Sequence, residues 1–386
     1  MENETKLLEK DHRADFAEFD DVIYLDAAHQ APLPRVSVKA AQQAIEWKKL
    51  PHLLPLSEYF ALPNRVRASI AKLINARPDE IAVPTGASGG LAAVANGLDW
   101  KPEDEVLIAR GEFPAEFATW LPLAESGRLR VKIIAPRERF ISADDFIAAL
   151  NPQTRLVSAS FVRFDDASRL DARRLADACH AQGAYLMLDL SQAVGAIPCD
   201  IRELGADFAV SAGYKWLLSP FGTGFFWIRY ELIERMRLLP FYWMALEGAD
   251  KFDSLVFDRL RIAPGARRWD SPETSSFINL AAMEASLDYL RGVGVENIWE
   301  HVAHLNRLII ERLPRDRCTL ASPAESDRRG PMVCIAGRNL ERTRELHERL
   351  QKEKIFVSLR EGSLRIAPHI YNTERDIVRL ISALSV

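Results

Sequence analysis

Lys215 follows a short apolar run, 208–212, and a glycine, and stands between Tyr214 and Trp216. A lysine taken out of water among aromatic side chains holds its proton less tightly and becomes a competent amine nucleophile. Asp189 closes another apolar run, 184–190, and precedes Lys215 by 26 residues. A carboxylate in that setting must be paired or hydrogen-bonded. It either caps the next helix or holds a cationic group of a ligand. The stretch 84–90 reads Pro, Thr, Gly, Ala, Ser, Gly, Gly ahead of a helix-forming run from Leu91. Small residues let the backbone approach a ligand, and the free N–H groups of a helix start attract an anion. No Lys-Ser/Thr pair follows, so this is not a Walker A loop. Gly86, Ala87, Ser88, Gly89 and Gly90 also fit G-x-S-x-G, which opens an alternative: a serine hydrolase with Ser88 as nucleophile, Asp189 as acid and His369 as base.

These residues need elements to position them. Apolar runs at 81–83, 105–109, 130–135, 155–162, 184–190, 207–212 and 223–228 read as strands, and several lack polar alternation, as strands buried on both faces do. Helical patterns lie between them. In 171–182 the residues Ala172, Leu175, Ala176 and Cys179 follow a helical stripe that ends at Gly183. The alternation predicts an α/β fold: a mostly parallel sheet of the seven-stranded type with helices on both faces and its site at the C-terminal strand ends. After about residue 265 the pattern changes to two long helices, 277–291 and 295–313, a βαβ-like unit over 332–367, and a last helix capped by Thr373 with Asp376. The expected division is an N-terminal segment, 1–29, packing with the small domain, a large domain, 30–265, and a smaller α+β domain, 266–386.

The chain has 386 residues, with 50 Lys and Arg against 54 Asp and Glu. The slight acidic excess argues against nucleic acid as a partner, and the lack of a long apolar stretch argues against the membrane. Four scattered cysteines form no C-x-x-C pair, which favours a reduced, cytoplasmic protein over a disulfide framework or zinc site. His301 and His304, three apart on a predicted helix, read as surface residues, and no metal is expected.

An anion loop, a strand-end carboxylate and a strand-end lysine are together what pyridoxal 5'-phosphate (PLP) requires: N–H donors for the phosphate, a carboxylate for the pyridine nitrogen, and an amine for the aldehyde. Around them, Tyr24, Leu25, Asp26, Ala27 and Ala28, the 85–90 loop, the 189–195 stretch DLSQAVG, Tyr214 to Leu217, and the ending LRIAPH with Tyr371, Asn372, Thr373 and Glu374 extend a pattern along nearly the whole chain. The chain resembles the class V PLP-dependent aminotransferases, in their isopenicillin-N-epimerase-like and kynureninase-like branches. That resemblance implies PLP-dependent transferase fold type I. It implies that Lys215 forms the Schiff base, that Asp189 partners the pyridine nitrogen, and that Gln192 bonds the phenolic oxygen. Ala87, Ser88 and Tyr214 would contact the phosphate, and Phe113 would stack on the ring. Arg365 would bind the substrate carboxylate, with His29 near the substrate. Thr274 would touch the neighbouring subunit's phosphate, which implies a homodimer.

The loop before Arg365, 358–363, has no cysteine, and Phe113 stands where desulfurases carry histidine; both argue against a cysteine desulfurase. The expected substrate is an amino acid and the expected reaction aminotransferase-type, with epimerisation or Cβ/C–S lysis as alternatives.

Overall fold

The computed structural model describes residues 11–237, 242–255, 259–273 and 276–386. Thirteen strands occur among them. They are β1 (Ile23–Tyr24), β2 (Ile81–Ala82), β3 (Glu105–Ala109), β4 (Arg130–Ile134), β5 (Thr154–Ser160), β6 (Tyr185–Asp189), β7 (Phe208–Ala212), β8 (Gly224–Ile228), β9 (Cys318–Leu320), β10 (Val333–Gly337), β11 (Ile355–Phe356), β12 (Ser358–Arg360) and β13 (Ser363–Ile366). Seven form one sheet in the order β2-β8-β7-β6-β5-β3-β4, and within it only the pairings made by β8 are antiparallel.

Alternation within strands shows why this sheet is covered on both faces. Leu107 and Ala109 enter one apolar core while Val106 and Ile108 enter the other. The same split separates Leu186 and Leu188 from Met187, and Ala209 from Phe208 and Val210. Successive side chains point to opposite faces, so a strand apolar at every position needs helices on both sides. On one face lies the helix Ala87–Gly97, pressed so close that a Cβ at Gly90 would stand 2.4 Å from Val210 Cγ1 and 2.9 Å from Phe226 Cβ. On the other lies the helix Ala172–Ala181, whose Leu175, Ala176 and Cys179 are buried. Its expected stripe and its stop near Gly183 are both observed.

Beyond the large sheet, β12-β13-β10-β9 form a four-stranded antiparallel sheet with its own apolar core. Here the structure departs from the expected βαβ unit. The chain leaves β10, forms the helix Leu340–Lys352, and returns along β12, but β13 is inserted between β10 and β12. Glu361 and Gly362 cause this. Both have positive φ, 41° and 79°, the signature of a tight two-residue turn that folds β13 back on β12. At the chain end, Thr373 and Asp376 form the expected capping box of the helix Glu374–Ser385. The N-terminal strand β1 pairs in parallel with β11, so residues 332 apart in sequence share a sheet edge. The helix Phe277–Val293 packs against Arg35–Lys49 and Glu58–Leu73. No helix of the described residues is long and apolar enough to cross a membrane.

Candidate active site

Asp189 ends β6, and Lys215 lies three residues beyond β7, the strand hydrogen-bonded to β6. Adjacent parallel strands end on one side of the sheet, so both side chains arrive at its C-terminal edge. There they line a cavity of about 180 Å3 with Thr85, Gly86, Ala87, Ser88, Gly89, Phe113, Ala115, Ser191, Ala212, Tyr214 and Phe221. Six residues singled out from sequence, Ala87, Ser88, Phe113, Asp189, Tyr214 and Lys215, thus meet at one place.

Asp189 is buried, and its Oδ1 accepts the Ser191 backbone N–H at 2.8 Å, which offsets part of the cost of taking a carboxylate out of water. The Ser191 hydroxyl in turn accepts the Ala212 N–H at 2.9 Å, tying the end of β6 to the end of β7. Lys215 is 6% exposed. Its Nζ makes no hydrogen bond among the described residues and stands 5.2 Å from the Phe113 ring centroid and 5.8 Å from that of Tyr214. Burial pushes its pKa down to about 8; Asp189 opposes the shift, while Arg365 and Arg360 add to it. Burial therefore makes the amine easier to deprotonate than an ordinary lysine, half of it being free of its proton at about pH 8. Leu218, three residues on, adopts a positive φ of 52°, and its N–H is bonded to the Lys215 carbonyl at 3.0 Å. The tight turn after the lysine is thus held by the lysine's own main chain.

Gln192 lies outside the cavity lining. Its Nε2 donates to the Ala28 carbonyl at 3.0 Å and its Oε1 accepts from Trp216 Nε1 at 2.9 Å. Arg365 is 2% exposed, on β13. It donates to the Phe164 carbonyl at 3.1 Å and sits 3.4 Å from Asp26 Oδ1, while Ser358 donates to Asp26 Oδ2 at 2.6 Å. Burial pushes the Asp26 carboxyl upward, against the pull of Ser358 and Arg365. His29 is exposed, near Asp26 and apart from the cavity. Thr274 lies outside the described residues.

Sequence reasoning passed over several contributors. Phe221 packs on Tyr214 with centroids 4.6 Å apart and forms part of the lining. Phe164 meets Phe113 edge-on at 5.3 Å. Behind the site lies a buried acidic layer. Glu112 accepts from Ser160 N and Oγ at 3.1 and 2.6 Å, with Arg163 at 3.8 Å. Glu116 accepts from Ser158 Oγ at 2.7 Å and Trp120 Nε1 at 2.9 Å. Burial, with Glu112 second, pushes Glu116 up to about 8. Ser158 and Ser160, alternate polar positions in a buried strand, are the sequence signal for that layer.

The hydrolase arrangement does not assemble. His369 is fully buried, its Nε2 lies 3.3 Å from the Trp216 carbonyl, and its Nδ1 accepts the Ile370 N–H at 2.7 Å. Both ring nitrogens are thus engaged with main chain, and His369 does not line the cavity that holds Ser88. His301 is also not the surface residue expected. It is half-buried, with Nε2 2.9 Å from the Asn372 carbonyl, because the helix carrying it packs on the C-terminal helix. His304 pairs with Glu374 at 2.7 Å. Among the described residues no group of three or more His, Cys, Asp or Glu could hold a metal ion.

A doubly covered, mostly parallel sheet with an acid, an unpartnered buried amine and a helix N-terminus around one cavity defines a fold type I PLP-dependent enzyme. The aminotransferase class-V family matches residues 23–380, and the chain belongs to it. It is similar to the uncharacterized aminotransferase YcbU of Bacillus subtilis, 28% identical over 83% of this chain and 82% of that one. It is also similar to isopenicillin N epimerase of Streptomyces clavuligerus, 28% identical over 94% of each chain. Kynureninase of Deinococcus radiodurans and a probable cysteine desulfurase of Methanothermobacter thermautotrophicus match as well. Among solved structures, a C-DES mutant with glycine covalently linked to its PLP cofactor superposes with a TM-score of 0.88 at 19% identity, covering 97% of this chain and 98% of that one. The cofactor of this enzyme is pyridoxal 5'-phosphate.

Proposed function

We propose that the cavity at Lys215 holds the cofactor and that the chain carries out an aminotransferase-type reaction on an amino acid. The convergence of Asp189, Lys215, Phe113 and Ser88 on one cavity carries this reading. PLP, when bound, supplies an electron sink for the negative charge that develops at the Cα of an amino acid. Lys215 would carry the cofactor's aldehyde and, once released from it, move the Cα proton. Asp189, fixed by the Ser191 N–H, would keep the pyridine nitrogen protonated. The N–H groups at the start of the helix Ala87–Gly97, with the Ser88 hydroxyl and Tyr214, would hold the phosphate. Phe113 would lie against the ring. Gln192 would use the amide proton that Ala28 leaves free for the phenolic oxygen. Arg365 would bind the α-carboxylate, His29 would stand at the substrate's entry, and Thr274 would serve the cofactor of a second subunit in a homodimer.

Cysteine desulfurisation is disfavoured on chemical grounds. No cysteine lies in the loop 358–363, and Cys334 is fully buried with its thiol pushed up to about 12 by burial. All four cysteines are free and buried, which supports a reduced, cytoplasmic setting. The proposed division into 1–29, 30–265 and 266–386 is supported by the separate core of the small sheet and by the pairing of β1 with β11, with Phe277–Val293 bridging the two larger units. Epimerisation is a second reading, favoured by the near full-length likeness to isopenicillin N epimerase. A panel of amino acids scored in parallel for keto-acid release, α-proton exchange and loss of a β-substituent tests the proposal. Keto-acid release in stoichiometry with a new amine supports it. Proton exchange alone, with inversion at Cα, would replace it with epimerisation.

A further inference from the structure

The hairpin that carries Arg365 carries a second arginine. In its register Ser358 lies opposite Arg365 and Arg360 opposite Ser363. Residues two apart on a strand share a face, so Ser358, Arg360, Ser363 and Arg365 all stand on one side of the β12–β13 hairpin. Arg360 and Arg365 are diagonal neighbours across it, about 7–8 Å apart at the backbone. The turn at Glu361 and Gly362 fixes this register and leaves little freedom to the residue before it.

The two arginines differ in what they are bonded to. Arg365 has Asp26, Ser358 and the Phe164 carbonyl. Arg360 is half-buried, and its one side-chain bond runs to the carbonyl of its own neighbour Leu359, at 3.1 Å; no carboxylate pairs with it among the described residues. Its charge is felt both at Lys215 and at Arg365, so it lies on the site's side of the hairpin. Lys215, Arg365 and Arg360 gather there against Asp189 and Asp26, and next to them Arg163 answers Glu112, Asp165 and Asp166. Asp26 is spent on Arg365, and Asp189 lines the cofactor cavity. The Arg360 guanidinium is left without a carboxylate partner among the described residues, on the hairpin face that carries Arg365.

We propose that Arg360 selects amino acids with a short acidic side chain, binding the distal anionic group while Arg365 binds the α-carboxylate. This rests on the reading of Arg365 and Lys215 given above. Two arginines on one rigid hairpin face form a two-point clamp for a molecule with anions at both ends. A guanidinium freed of other partners meets a carboxylate with two parallel hydrogen bonds.

The test uses the purified holoenzyme and two matched pairs, glutamate with glutamine and aspartate with asparagine. The change in the cofactor's absorbance on adding each amino acid gives its affinity, and product release gives kcat/KM. Glutamate or aspartate is expected to bind at least about 10-fold tighter than its amide, as a charge-assisted bond provides. Arg360→Gln is expected to weaken the acid about 10- to 100-fold and the amide less than about 2-fold, with partial recovery in Arg360→Lys. Glutarate, an acid at both ends, should raise the Tm of wild type more than butyrate does, and should lose that advantage in Arg360→Gln. Equal affinity for acid and amide in wild type, or an equal loss of both in Arg360→Gln, overturns the proposal. No spectral response to any amino acid would instead break the reading of Lys215 and leave the glutarate arm to decide on Arg360.

Discussion

The two walls of the site are built by opposite means. The proposed cofactor wall, with Asp189 and Lys215, stands on adjacent parallel strands whose residues are buried on both faces. The Asp189 carboxylate and the backbone around Lys215 are tied through Ser191, Ala212 and the turn at Leu218. The proposed substrate wall, with Arg365 and Arg360, stands on an antiparallel hairpin held by one tight turn and by side-chain bonds to Asp26 and Ser358. The difference separates two tasks. Chemistry that needs a fixed acid and a fixed amine rests on the most deeply packed backbone. Choice of substrate, as proposed, would rest on a short hairpin that can change residue by residue while the sheet stays the same.

Breaking the first wall should have the largest effects. Lys215→Ala is expected to lower turnover at least about 10^4-fold, the upper range for losing a group that moves a proton, with the fold retained by circular dichroism. A loss below tenfold would remove Lys215 from the chemistry. Asp189→Asn keeps the shape and the bond from Ser191 but removes the charge, and should cost about 10^2- to 10^3-fold in kcat, with little change in KM. Gly90→Val tests the support beneath the 85–90 loop. The new side chain meets Val210 and Phe226, and a loss of about 1–3 kcal/mol in stability by urea unfolding is expected.

The smallest effect is one of pH. Glu116 has a folded pKa of about 8, above its ordinary 4.5, so the folded state holds a proton that the unfolded state has released over that interval. Its contribution to stability is full below about 4.5 and is lost as pH rises through about 8. Wild type should therefore lose more Tm between pH 6 and pH 9 than Glu116→Gln, which mimics the protonated form. Parallel curves for the two proteins would show that Glu116 is already ionised.

That Asp189, Lys215 and the 85–90 loop meet at one cavity was legible because the signals are local. An acid ending an apolar run, a lysine after a strand and a glycine, and a Gly-rich loop each declare themselves within a few residues. Arg365 was singled out only through the resemblance, and its bond to Asp26 joins positions 339 apart, which no local pattern carries. The inserted β13 was missed for a related reason. The apolar runs of β10 and β13 state that each is a strand, but the turn at Glu361 and Gly362 decides which strands pair. His301 was misread because amphipathic spacing shows which face of a helix is polar, not whether another helix packs on its margin.

The most direct measurement is reduction of the purified, PLP-loaded protein with borohydride, followed by peptide mapping by mass spectrometry. A phosphopyridoxyl group on the peptide containing Lys215, and on no other lysine in stoichiometric amount, is the expected result. Stoichiometric label on a different lysine, or none in a protein that turns over amino acids, would contradict the placement of the cofactor between Asp189 and Lys215.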